Sequence, residues 1–184
     1  MARPRGAKQR AAEVVQRLAV EYPGTAKELC ALQFDNPYQL LVATILSAQS
    51  TDETVNKITP ALFERYPTPA DLAHADPDEV EELIHASGFF RSKTKSLILM
   101  ARVVEGRFGG EIPSELDDLD SLPGVGRKTG NVVLSVAFGL PGLPVDTHVM
   151  RLVRRLKLTN ETDPVKIELD LNGIVEPEER GALS

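Results

Sequence analysis

Residues 122–130, LPGVGRKTG, restrict this 184-residue chain more than any other stretch. Pro123 stops the helix that precedes it, and Gly124 and Gly126 let the backbone turn sharply before a new helix begins. Arg127 and Lys128 then fall in the first turn of that new helix. A first turn carries unpaired N–H groups and a partial positive charge, so propensity and dipole both disfavour two cations there. An anion from outside resolves the conflict, because glycine-rich helix starts bind phosphate through backbone N–H groups.

Three readings of this motif compete. A P-loop needs glycine directly before its Lys-Thr pair and a buried strand ahead of it, whereas Arg127 precedes Lys128-Thr129 and SELDDLDSL at 114–122 has a helical pattern. A dinucleotide fingerprint needs G-x-G-x-x-G after a strand, whereas Gly124, Gly126 and Gly130 are spaced G-x-G-x-x-x-G. Two short helices joined by a glycine hairpin fit the residues, and this is the helix-hairpin-helix, a clamp for the DNA backbone that does not read sequence. Over about 115–138 it presents Gly124, Val125 and Gly126 as backbone contacts to phosphate, flanked by Leu122 and Arg127.

One helix length further on, PVDTHVMRLVRRL at 144–156 opens another helix at Asp146. Val149, Leu152, Val153 and Leu156 follow at core spacing, with Arg151, Arg154 and Arg155 largely elsewhere. On spacing alone Asp146 reads as an N-cap.

LPGVGRKTGNVV followed by VDTH resembles the endonuclease III family of DNA glycosylases, and ATILSAQSTD at 43–52 resembles that family's loop near the extruded base. The resemblance runs from about residue 11 to about residue 180, in the family's order and spacing. It implies an all-α fold of two helical lobes with a DNA cleft between them. One lobe, 31–140, contains the hairpin; the second joins 1–30 to 141–184 and is incomplete relative to the family. Pro141-Gly142-Leu143-Pro144 has the composition of a linker between them.

The resemblance also implies a chemistry. Lys128 becomes the nucleophile: an amine must be unprotonated to attack a sugar carbon and form a Schiff base, and a helix start beside Arg127 disfavours the ammonium. Asp146 then supports loss of the base and assists the lysine, by stabilising positive charge on the sugar or accepting a proton. Gln49 corresponds to the residue that enters the duplex near the flipped nucleotide, and Phe89 in SGFFRSK at 87–93 to an apolar filler on a second loop. An ordinary buried aromatic competes for Phe89, and Phe90 could exchange roles with it. His148 supports the Asp146 region.

The implied activity is bifunctional: removal of oxidised pyrimidines, then strand cleavage at the abasic site by β-elimination, on duplex DNA and as a monomer. Adenine-mismatch relatives lack a lysine in the hairpin and carry a glutamate in the loop matching 47–52, which disfavours that specificity here. The alternative from another class is a non-catalytic DNA-binding remnant that keeps only the hairpin.

Charge supports a nucleic-acid partner only in its distribution. The net charge is −6, yet between 121 and 160 the charged residues are Arg127, Lys128, Asp146, Arg151, Arg154, Arg155 and Lys157. Acids crowd 71–82, 115–120 and 161–179. An apolar content of 42% suits one full core or one core and a smaller lobe. No apolar run approaches the roughly eighteen residues of a membrane helix, and the basic MARPRGAKQR leads into an amphipathic helix, so a cytoplasmic location near the nucleoid is expected.

Most members of the resembled family continue into a helix and a four-cysteine loop that holds an iron–sulphur cluster. This chain ends at EPEERGALS with Cys30 as its one cysteine, so no cofactor is expected in it, and it reads as a fragment or as a form without the cluster. In the first case, parts of the 1–21 and 163–175 helices would expose apolar surface. Periodicity places helices at about 7–21, from 37, from 51 with Pro60 expected to kink or shorten it, from 77, at 91–108, at 115–138 as the hairpin pair, at 147–158 and from 164.

Overall fold

The structure, a computed structural model, describes residues 6–183; residues 1–5 and 184, with Arg3 and Arg5 of the basic amino terminus, lie outside the described residues. The described chain is helical with no strand. In order it forms α1 Ala7–Glu21, α2 Ala26–Leu29, α3 Pro37–Ser47, α4 Asp52–Arg65, α5 Pro69–Ala73 and α6 Pro77–Ile84. These are followed by α7 Phe90–Phe108, α8 Leu116–Asp120, α9 Arg127–Ala137, α10 Thr147–Arg155 and α11 Pro164–Asn172. Among the described residues no helix is long and apolar enough to cross a membrane.

Local chemistry sets most starts. Asn36, Asp76 and Asp163 each accept a backbone N–H with the side chain and are followed by proline at the first helical position, where a missing N–H costs nothing. Thr68-Pro69 does the same for α5, with Asp71 completing a reciprocal capping box. Thr25 and Glu28 make a second such box for α2. These two short helices escape a periodicity reading because four and five residues are too few to show one.

At Pro60 the expected shortening does not occur. The helix α4 continues through the proline to Arg65. Packing holds the helix there: Val55, Thr59 and Leu62 are all buried on its inner face, and Arg65 beyond the proline is tied to Glu79 of α6 at 2.6 Å. Burial of the flanking turns outweighs the one backbone bond that proline removes.

Two apolar clusters organise the molecule. The larger draws on α3 to α9 and includes Leu41, Leu46, Leu62, Leu97, Met100, Leu119 and Val133. The smaller joins Ala11 and Val15 of α1 to Leu143, Val149, Val153, Ile167 and Leu171. Arg10 of α1 secures this second group by donating from Nε to the Leu156 carbonyl at 3.0 Å, at the end of α10 where helix carbonyls lack partners. Val20 and Tyr22 at the end of α1, and Val165 and Leu169 on α11, are exposed.

Between the clusters runs 139–146, whose Gly142, Leu143, Pro144 and Val145 are buried against α9. The Leu143 N–H donates to Asn131 Oδ1 at 2.9 Å. A Cβ on Gly142 would land on the Asn131 carbonyl oxygen and within 3.1 Å of Leu134 and Ser135. The segment is thus docked rather than slack, and glycine is what allows it so close. Gly142→Ala is expected to lower stability by about 1–3 kcal/mol, seen as a lower urea midpoint with an unchanged slope.

Candidate active site

The starts of α9 and α10 face a common space. Gly126 caps α9 with no side-chain bond, and the first turn of that helix contains no acid, so its N–H groups are not served by a neighbouring side chain. Lys128 leaves this turn with its side chain 55% exposed, and its Nζ lies 3.6 Å from Asp146 Oδ2. At that separation the two form an ion pair looser than a hydrogen bond.

Asp146 uses its two oxygens differently. Oδ1 accepts the backbone N–H groups of His148 and Val149, each at 2.9 Å, and so caps α10. Oδ2 turns toward Lys128. The N-cap bonds and the approach to Lys128 therefore coexist on one carboxylate. Partial burial pushes the Asp146 carboxyl up, but the Val149 N–H, the Lys128 ammonium, the His148 N–H and the His148 ring outweigh it and hold the group below its ordinary value. His148 is exposed and supports the aspartate through its backbone; its Nδ1 lies 3.5 Å from Arg151.

The other hairpin residues divide. Arg127 does not wait for an external anion. Its Nε and Nη2 donate to Glu168 of α11 at 2.8 and 2.9 Å, and Glu168 is 5% exposed at its side chain. Hydrogen bonding to Glu168 raises the Arg127 pKa, which favours the charged guanidinium. The cation at the helix start is compensated from within the protein. Asn131 joins them: its Nδ2 donates to Glu168 Oε2 at 3.2 Å and to the Arg127 carbonyl at 3.0 Å, while its Oδ1 holds Leu143. Glu168 was not among the residues expected at the site. Its one sequence signal is an acid beside Ile167 and one turn from Leu171, both fully buried, on the inner face of α11.

Leu122 and Val125 are buried side chains of the larger cluster, so only their backbone can meet a ligand. The glycines also differ. Gly124 adopts φ +78°, and a Cβ there would lie 2.6 Å from Ser96 Cβ on α7. Gly130 lets α9 approach Leu116 of α8. Only Gly126 has open space where a Cβ would be, so of the three it alone leaves room for an outside group.

Gln49 and Phe89 share an unusual backbone. They and Lys157 are the described non-glycine residues at positive φ, with φ 56° at Gln49 and 49° at Phe89. A bulky residue there is strained, and such strain persists where the surroundings impose it. Both side chains point outward; Phe89 is 68% exposed. Phe90 instead packs against the core and His85, with ring centroids 4.5 Å apart, so it is Phe89 that stands free. Seven residues along α7, Ser96 touches the hairpin turn, which puts the Phe89 loop about 10 Å from it along the helix axis. On α10, Thr147, Met150, Arg151, Arg154 and Arg155 line an open groove of about 540 Å³, a basic wall beside Asp146.

An iron–sulphur cluster does not fit the residues present. Cys30 is half-buried, burial pushes its thiol up, and no group of three or more His, Cys, Asp or Glu among the described residues could hold a metal.

Two outcomes are expected from this geometry. Removing Glu168 as Glu168→Ala strands a mostly buried guanidinium and should cost about 2–3 kcal/mol, measured in urea, with Arg127→Met restoring part of the loss. Because the folded Asp146 pKa lies below its unfolded value, its contribution is complete above about pH 4 and disappears as pH falls through the lower folded value. The stability gap between wild type and Asp146→Ala should therefore close in acid titration below that pH.

The comparisons bear on the frame that carries these residues. The pattern of HhH-GPD superfamily base excision DNA repair proteins matches residues 42–177. Endonuclease III of Synechocystis sp. is 54% identical over 169 residues, covering 91% of this chain and 76% of that protein. A solved non-covalent endonuclease III–DNA complex superposes with a TM-score of 0.87 at 38% identity, covering 96% of this chain and 81% of that one. A trapped endonuclease III–DNA covalent intermediate gives 0.87 at 39% identity, covering 96% and 82%. A lysine and an aspartate brought together by two helix starts, on an all-helical frame shared over nearly the whole chain, place this protein in the HhH-GPD superfamily of base excision DNA repair proteins.

Proposed function

We propose that this chain is a bifunctional DNA glycosylase with AP lyase activity, acting in base excision repair on duplex DNA that carries oxidised pyrimidines or abasic sites. The observation that carries the reading is the approach of Lys128 Nζ to Asp146 Oδ2 at 3.6 Å while Asp146 Oδ1 is pinned by two N–H groups. Pinning keeps the aspartate oriented without consuming the oxygen that faces the lysine.

The steps follow from these positions. Lys128 passes a proton to Asp146 and attacks the sugar C1′. The bond from C1′ to the base breaks, and the base leaves with the electron pair and takes the proton from Asp146. The carboxylate restored as that proton leaves stabilises the positive charge that develops on the sugar. The C1′–O4′ bond then opens, with a proton of the attached amine passing to O4′, and leaves an iminium between Lys128 and C1′; loss of a C2′ proton expels the 3′ phosphate, and water releases the lysine. Gln49 and Phe89 occupy the space vacated by the extruded nucleotide. The open N–H groups at Gly126 and the basic wall of α10 hold phosphates on either side of the reacting sugar. One chain supplies Lys128, Asp146, Gln49 and Phe89, so the protein acts as a monomer, on nucleoid DNA in the cytoplasm.

Borohydride reduction during incubation with a duplex containing one abasic site should trap a covalent complex of this chain. Lys128→Ala should abolish it, and Asp146→Asn should slow it by about 10²–10⁴-fold, the range of a general base. Undiminished trapping by Lys128→Ala would move the nucleophile elsewhere. A folded wild-type chain that binds the duplex and never traps would mark a DNA-binding remnant.

A further inference from the structure

Lys93 has no part in the chemistry above, yet it is one of the costlier residues in the fold. It lies in the first turn of α7 and is 6% exposed. Its Nζ donates to the Leu46 carbonyl and to the Ser87 carbonyl, each at 2.8 Å. Burial pushes its pKa down, and an ammonium held from water persists only where its protons are well received.

The two acceptors lie on different segments. Leu46 belongs to the last turn of α3, where carbonyls have no intrahelical donor, three residues before Gln49. Ser87 closes a single 3₁₀ turn, His85–Ser87, two residues before Phe89. The same two loops carry the left-handed Gln49 and Phe89. An uncharged donor on either segment could satisfy one carbonyl, but a single group that serves both also sets the distance between them.

We propose that Lys93 is a positioning residue that bolts the 47–51 loop to the 85–89 loop, so that Gln49 and Phe89 enter a duplex as one unit. This rests on the insertion role proposed for those two side chains. The bolt explains why both loops tolerate a strained backbone next to solvent: the segment leading into each strained residue is anchored, at Leu46 and at Ser87, to one buried ammonium. It also makes insertion cooperative, because neither loop can shift without breaking a charge-assisted bond to Lys93, which holds the other as well.

The test compares wild type with Lys93→Met, which keeps the apolar stem and removes the donors, and with Gln49→Ala and Phe89→Ala. Insertion is read from the fluorescence of 2-aminopurine placed opposite an abasic analogue in a duplex, which needs no chemistry. Imine formation is read separately by borohydride trapping on a single-stranded abasic oligonucleotide, where there is no helix to enter. Lys93→Met is expected to weaken insertion and slow duplex turnover by about 10–100-fold while trapping on the single strand stays within about twofold. Adding Phe89→Ala to Lys93→Met should cost less than Phe89→Ala alone, because the loops are already uncoupled. Equal losses on both substrates would mark a merely structural lysine and overturn the proposal, as would unchanged insertion. If Lys93→Met does not fold, Lys93→Gln carries the same comparison. A wild-type chain that inserts but never traps would overturn the lyase reading and leave the loop proposal to be decided by the fluorescence alone.

Discussion

The Glu168 carboxylate, buried on α11, accepts two bonds from Arg127 and one from Asn131, and the rest of the site takes its position from that anion. Arg127 is the first residue of α9 and Lys128 the second, so anchoring the arginine fixes the direction in which the lysine leaves the helix. Asn131 extends the same network to Leu143, three residues before Asp146. One buried acid thus constrains both partners of the Lys128–Asp146 pair from opposite sides. A lone buried carboxylate would be costly; a bidentate guanidinium and an amide make it tolerable and make it directional.

The arrangement separates rigidity from exposure. The parts that must hold a distance, Glu168, Asn131 and Asp146 Oδ1, are buried or bonded to backbone. The parts proposed to meet DNA, Lys128, the open start of α9, Gln49, Phe89 and the α10 arginines, stand outward. Preorganisation of this kind means that little has to move when a charged ligand arrives, and the dipoles already point at the place where charge develops. Two of the three described non-glycine residues in the left-handed region, Gln49 and Phe89, lie on the same surface, and Lys93 holds the Leu46 and Ser87 carbonyls on the segments leading into them.

The hairpin glycines show how one motif serves two purposes. Gly124 and Gly130 are required by packing against Ser96 and Leu116, so a substitution there disturbs the fold before it touches any ligand. Gly126 has open space, and the N–H groups beside it lack a side-chain cap. Three glycines that look equivalent in LPGVGRKTG are therefore separable by what a Cβ would meet.

The sequence by itself determined the helical class and the main helix starts. Caps followed by proline at 36–37, 76–77 and 163–164 are local signals, and the steric and hydrogen-bonding rules they obey act within a few residues. Lys128 stood out because a cation at a helix start needs a reason, whereas Asp146 by itself read as an N-cap and was joined to the lysine only by the family resemblance. Tertiary structure alone decided the partner of Arg127, since the 41 residues separating it from Glu168 carry no local rule linking them. It decided between Phe89 and Phe90, because adjacent aromatics are distinguished only by what packs against them. It kept α4 intact through Pro60 and spent a buried lysine on joining two loops. In each case the deciding energy came from burial against residues distant in the chain, which no window of sequence contains.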